Sequence, residues 1–88
     1  MAAIEKLVRN FTETDIDDEI VIMRLDNGEL LSLSGTGAAI WRLTDGSRDR
    51  QALAEAIAAE YSIGMQQSLQ EIDEFLDQLA KAGLIAGG

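Results

Sequence analysis

The chain has 88 residues, 47% of them hydrophobic, with 16 acidic against 7 basic side chains for a formal net charge of −9, and it contains no Cys, His or Pro. That length and apolar content suit one compact domain, expected over 1–88, held by packing and hydrogen bonds because neither a disulfide nor a thiolate metal site is available. Without His the commonest general base and transition-metal ligand are gone, and the negative charge repels phosphate backbones and anionic lipid, so catalysis, cofactor use, metal binding, nucleic-acid binding and membrane attachment all lose ground.

The N-terminus, Met1 to Lys6, has no basic region leading into a long apolar run. No stretch nears the ~18 apolar residues of a membrane span. A cytoplasmic location is expected. Leu7 to Thr12 alternates two unlike faces and predicts a short strand. The acidic run Glu13 to Glu19 reads as a solvated connecting loop, its spacing being wrong for a calcium loop: the window from Asp15 puts Ile20 and Asp26 where Gly and a bidentate Glu are needed. Ile20 to Leu25 is rich in β-branched residues and predicts a second strand. Asp26-Asn27-Gly28-Glu29 predicts a two-residue type I′ turn, which folds Glu29 to Leu33 back as an antiparallel third strand.

Ser34-Gly35-Thr36-Gly37 closes this hairpin, its glycines easing a tight junction rather than cradling phosphate, since Ile40 replaces the third fingerprint glycine and no P-loop Lys follows. Ala38 to Leu43 predicts a short helix in which Trp41, the single Trp, is a core anchor. Ser47 or Asp49 caps a second helix running to about Tyr61, with Leu53, Ala56, Ile57 and Tyr61 on its buried face. After Gly64 comes the longest helix, striped by Leu69, Ile72, Leu76 and Leu79 with Phe75 widening the stripe, and stopped by Gly83. The fold class is therefore α+β: a three-stranded antiparallel sheet followed by three helices, a winged-helix-like layout. A DNA-binding regulator is the alternative such a layout raises. Electrostatics oppose it, because the last helix carries four acids and one base, Lys81.

What remains is an open edge. The third strand lies at the rim of a meander, and Glu29 to Leu33 contains no Pro or Lys to discourage further pairing. Leu31 and Leu33 are expected inward with Val21, Met23 and Leu25, leaving Leu30 with Ile20 and Ile22 on an apolar outer face suited to a second copy of the chain or to an enzyme. If the long helix lies beside this strand, an extended peptide can add to the edge and set its side chains against the helix. Leu79→Asp is then expected to abolish peptide binding and spare the fold.

The residues Asp18-Glu19-Ile20-Val21, the run Asn27 to Trp41 with its Gly-Thr-Gly junction and Ile40-Trp41 pair in one register, and the ending Phe75 to Ile85 together resemble PqqD proteins and the related recognition elements of peptide-modification pathways. The resemblance spans nearly the whole chain. It implies a non-catalytic domain that binds the leader of a ribosomally made precursor peptide and presents it to a modifying enzyme such as a leader protease. The site it implies is Leu30, Leu31, Ser32 and Leu33 on the third strand with Ile72, Phe75, Leu76 and Leu79 on the third helix. A lasso-peptide pathway is the first reading of its setting, and a peptide chaperone for a radical enzyme in PQQ-type cofactor biosynthesis the second.

Overall fold

The computed structural model describes residues 3–86. Met1, Ala2, Gly87 and Gly88, which the single-domain expectation includes, lie outside the described residues. The elements are β1 (Glu5–Lys6), β2 (Phe11–Ile16), β3 (Glu19–Arg24), β4 (Leu30–Leu33), α1 (Gly35–Leu43), α2 (Arg50–Tyr61), α3 (Met65–Lys81) and β5 (Ile85–Ala86). The main sheet is the antiparallel meander β2-β3-β4, and the three helices follow it, as the α+β expectation has it.

The first strand and the hairpin loop differ from the sequence reading. The first strand of the meander is Phe11–Ile16 rather than 7–12, so most of the acidic run is strand and only Asp17-Asp18 turns, with Asp17 in left-handed backbone at φ 56°. The reason lies on the inner face of β2. There the Glu13 carboxylate accepts the indole N–H of Trp41 at 2.6 Å, and the Asp15 carboxylate meets Arg42 at 3.1 Å, so acidic residues that look like loop are paired to α1. The second difference is the loop after β3. Arg24 N–H donates to the Glu29 carbonyl and Gly28 N–H to the Arg24 carbonyl, enclosing four residues, and of the Asn27-Gly28 pair only Gly28 has positive φ, at 71°. A type I′ turn needs both.

Register then decides the faces. Ile20 pairs with Leu33 and Ile22 with Leu31, while Val21 pairs with Ser32 and Met23 with Leu30. Directly opposed residues share a face, so the two isoleucines point inward with Leu31 and Leu33, and Val21, Met23 and Leu30 point outward. Ile20 and Ile22 are buried, Leu25 is exposed and Leu30 is 65% exposed. The expected facing of β3 is thus reversed, and Ile20 and Ile22 leave the outer patch.

The core joins these isoleucines to Phe11, Ile40, Trp41, Leu53, Ile57, Ile72 and Leu79. Trp41 has no exposed surface: Phe11 meets it edge-on at 5.3 Å and the Lys6 ammonium sits 4.3 Å from its ring centroid. In α2, capped by the Asp49 carboxylate accepting from Ala52 N–H at 2.8 Å, the buried residues are Leu53, Ala54 and Ile57, while Tyr61 is exposed. The buried Ser68 hydroxyl donates to the Ala54 carbonyl at 2.6 Å and ties α3 to α2. Gly83, at φ 76°, ends α3, and β5 returns to pair with β1, a two-stranded clasp too short for a periodicity to reveal. Leu84 and Ile4, flanking that clasp, are both core.

Candidate functional site

The ladder shows which backbone groups the β4 edge leaves free. Antiparallel pairs alternate between hydrogen-bonded and non-hydrogen-bonded positions. Because Arg24 N–H bonds the Glu29 carbonyl, the bonded pairs along β4 are Ile22 with Leu31 and Ile20 with Leu33. On the other side of β3, Leu25 N–H bonds the Asn10 carbonyl, in step with the same alternation. The N–H and C=O of Leu30 and Ser32 therefore face away from β3, and among the described residues no strand pairs with that side of β4. The opposite rim, β2, carries the inward-pointing Glu13 and Asp15, a charge pattern that discourages strand addition. Along β4 itself there is no charged side chain.

Side chains beside this edge divide by depth. Leu31 and Leu33 are half-buried on the inner face and pack against the core, as does the half-buried Phe75 of α3. Leu30 and Ser32 are exposed on the outer face, where the Ser32 hydroxyl bonds the Glu19 carboxylate. Ile72, Leu76 and Leu79 lie deeper. Leu79 keeps only 2% of its surface and Ile72 none, so they support α3 from within the core rather than lining an open wall. With that burial, Leu79→Asp is predicted to unfold the domain, whereas the sequence reading expects it to spare the fold.

Two residues beyond Leu33 the chain enters α1, and there α3 comes close. An added Cβ on Gly37 would stand 3.3 Å from the ring of Phe75. That is tighter than ordinary van der Waals contact, so a side chain here would push the ring back from the first turn of the helix by a few tenths of an ångström. A cleft of about 230 Å³ opens beside the contact, lined by Thr36, Gly37, Ile40, Glu71, Glu74, Phe75 and Gln78. Of these, the sequence reading singled out only Phe75 as a site residue; the Gly-Thr-Gly junction was the available signal for Thr36 and Gly37. Glu71 and Glu74 read, with the other acids of the last helix, as an ordinary solvated face.

The arrangement offers main-chain donors and acceptors along one edge, apolar surface behind it and a polar-rimmed cleft at its end. No helix is long and apolar enough to cross a membrane among the described residues. A search of curated proteins returns no match. Among solved structures the chain is similar to "TbiB1 in Complex with the TbiA(beta) Leader Peptide", at 30% identity and a TM-score of 0.82 over 90% of this chain and 92% of the other. It shares its fold with "Lasso peptide synthetase B1 complexed with the leader peptide", at 17% identity and a TM-score of 0.85 over 98% and 100% of the two chains. Residues 19–85 match the family described as Coenzyme PQQ synthesis protein D (PqqD). With that match running from the first residue of β3 into β5, and a 30% identical relative aligned over nine tenths of both chains, this chain belongs to the PqqD family.

Proposed function

We propose that this protein binds the leader segment of a ribosomally made precursor peptide by adding it as a strand to β4, and presents it to a modifying enzyme. The observation that carries the reading is the open β4 edge, with the backbone groups of Leu30 and Ser32 unpaired among the described residues, Leu31 and Leu33 half-buried on it, and Phe75 of α3 half-buried against Gly37 in the helix that follows. Strand addition draws affinity from main-chain hydrogen bonds and specificity from alternate side chains set into pockets. The 30% identical relative is a leader-peptide complex, which supports the same ligand class here.

The role needs no catalytic residue. Holding leader and enzyme on one domain raises the effective concentration of the segment to be processed. A lasso-type pathway with a separate leader protease fits best, in keeping with the leader-bound synthetase component that shares the fold. The reading is tested by titrating the fluorescein-labelled leader of any short precursor peptide whose gene neighbours that of this protein. Saturable binding at an order of micromolar or tighter is expected. Absence of saturable binding overturns the proposal.

A further inference from the structure

We infer that the cleft between α1 and α3 is a specificity pocket for one Lys or Arg side chain of the bound peptide. The inference rests on strand addition at β4 and names a feature of the ligand that the edge alone does not select. Backbone pairing is indifferent to sequence, so discrimination must come from where side chains of the added strand land.

The lining suits a long cationic side chain in both of its parts. Ile40 and the Phe75 ring contribute apolar surface to the cleft, and Gly37, with the Phe75 ring packed against it, contributes backbone, so a methylene stem would lie along the ring. Glu71 and Glu74, one helical turn apart, stand at the rim with Gln78 and Thr36. Lys and Arg bury an apolar stem and keep the charged head among polar groups, which is the division this cleft presents.

Charge complementarity on α3 singles out these two acids. Of its four carboxylates, Asp73 is paired with Arg50 and Asp77 with Lys81. Glu71 and Glu74 have no ion-pair partner among the described residues, and they are the two that line the cleft. The other basic side chains that form ion pairs, Arg24, Arg42 and Arg48, serve Asp26, Asp15 and Asp45 elsewhere. The cleft also begins three residues past Leu33, so an inward-facing side chain near the end of an added strand is within its reach.

The test uses a phage-displayed library of random 15-residue peptides selected against the full chain, with enriched peptides resynthesised carrying fluorescein and titrated by anisotropy. Enriched sequences are expected to share one Lys or Arg in register with alternating apolar residues. Replacing that base by Gln should weaken binding about tenfold, Glu71→Gln/Glu74→Gln should do the same, and combining them should add little, the signature of a direct pair. Glu55→Gln/Glu60→Gln on α2 removes the same net charge and should leave affinity within about twofold. Enrichment without a shared base, a basic preference that survives Glu71→Gln/Glu74→Gln, or an equal loss in the α2 control overturns the pocket. Failure to enrich any peptide, or enriched peptides indifferent to a proline at Ser32, overturns strand addition itself and the pocket with it.

Discussion

Proline at Ser32 separates peptide binding from folding. The Ser32 N–H faces the open side of β4, so Ser32→Pro removes a donor that no described strand uses, and edge strands accept Pro where the N–H faces solvent. Its internal losses are the exposed hydroxyl bond to Glu19 and some backbone adjustment, together about 1 kcal/mol. Leu31→Pro, one residue earlier, deletes the N–H that bonds Ile22 and disturbs a side chain packed on the core, at about 3 kcal/mol or more. An 88-residue domain has only about 4–13 kcal/mol of total stability, so the second variant is severely weakened and the first is not. For an added peptide the order reverses in importance: Ser32→Pro loses one intermolecular hydrogen bond and sets a ring in the path of the incoming strand, for a tenfold to hundredfold loss of affinity on the order of 1.4–3 kcal/mol. Urea unfolding followed by the emission of the single, buried Trp41 measures the first quantity, and anisotropy of a labelled leader the second. Ser32→Ala, which loses only the hydroxyl, should bind within about twofold of wild type. Wild-type affinity in a folded Ser32→Pro protein refutes strand addition at β4.

Leu79→Ala should lower unfolding free energy by about 2–5 kcal/mol and Leu79→Asp should leave no cooperative transition, both readable in urea melts. Glu13→Ala strands the indole N–H of Trp41 and should cost about 2 kcal/mol, whereas Glu13→Gln keeps an acceptor and should cost less than half as much, as comparative melts will show. Hydrogen bonds and charge from Arg50 hold the Asp73 carboxyl below its ordinary 3.8, and bonds from the Ser47 hydroxyl and N–H do the same for Asp45. Both groups release protons more readily when folded, so their stabilisation is complete above pH 3.8 and disappears as pH falls through the lowered folded values. Acid titration of stability should therefore steepen below pH 4, less so in Arg50→Gln, and an unchanged acid limb in that variant would remove the Asp73 contribution.

Much of the architecture was legible because local chemistry agreed with the fold. Asp49 caps α2, Gly83 stops α3, and the apolar spacing of Ile72, Leu76 and Leu79 marks a helix face that the structure buries. The turn residues Asn27-Gly28 marked the hairpin correctly, although a four-residue loop replaces the tight turn. Acidic β2 was misread because charge along a strand is read as solvation unless its partners are known, and the partners Trp41 and Arg42 lie 27–28 residues away. The clasp of β1 with β5 joins residues from the two ends of the chain, each segment two residues long. No local periodicity encodes such a pairing.

By itself the sequence determined the make-up of the molecule: an acidic, Cys- and His-free chain with a hairpin, a Gly-Thr-Gly junction and an amphipathic last helix. Tertiary structure alone decided which side chains are available. A strand with apolar residues on both faces, such as Ile20 to Met23, does not declare which face is inward, and one residue of register exchanges them. Likewise an apolar stripe wide enough for both a core and a groove is divided only by what packs on it. Here the sheet and α2 take Ile72, Leu76 and Leu79 into the interior, leaving Phe75 at the margin, held against Gly37 beside the open edge of β4.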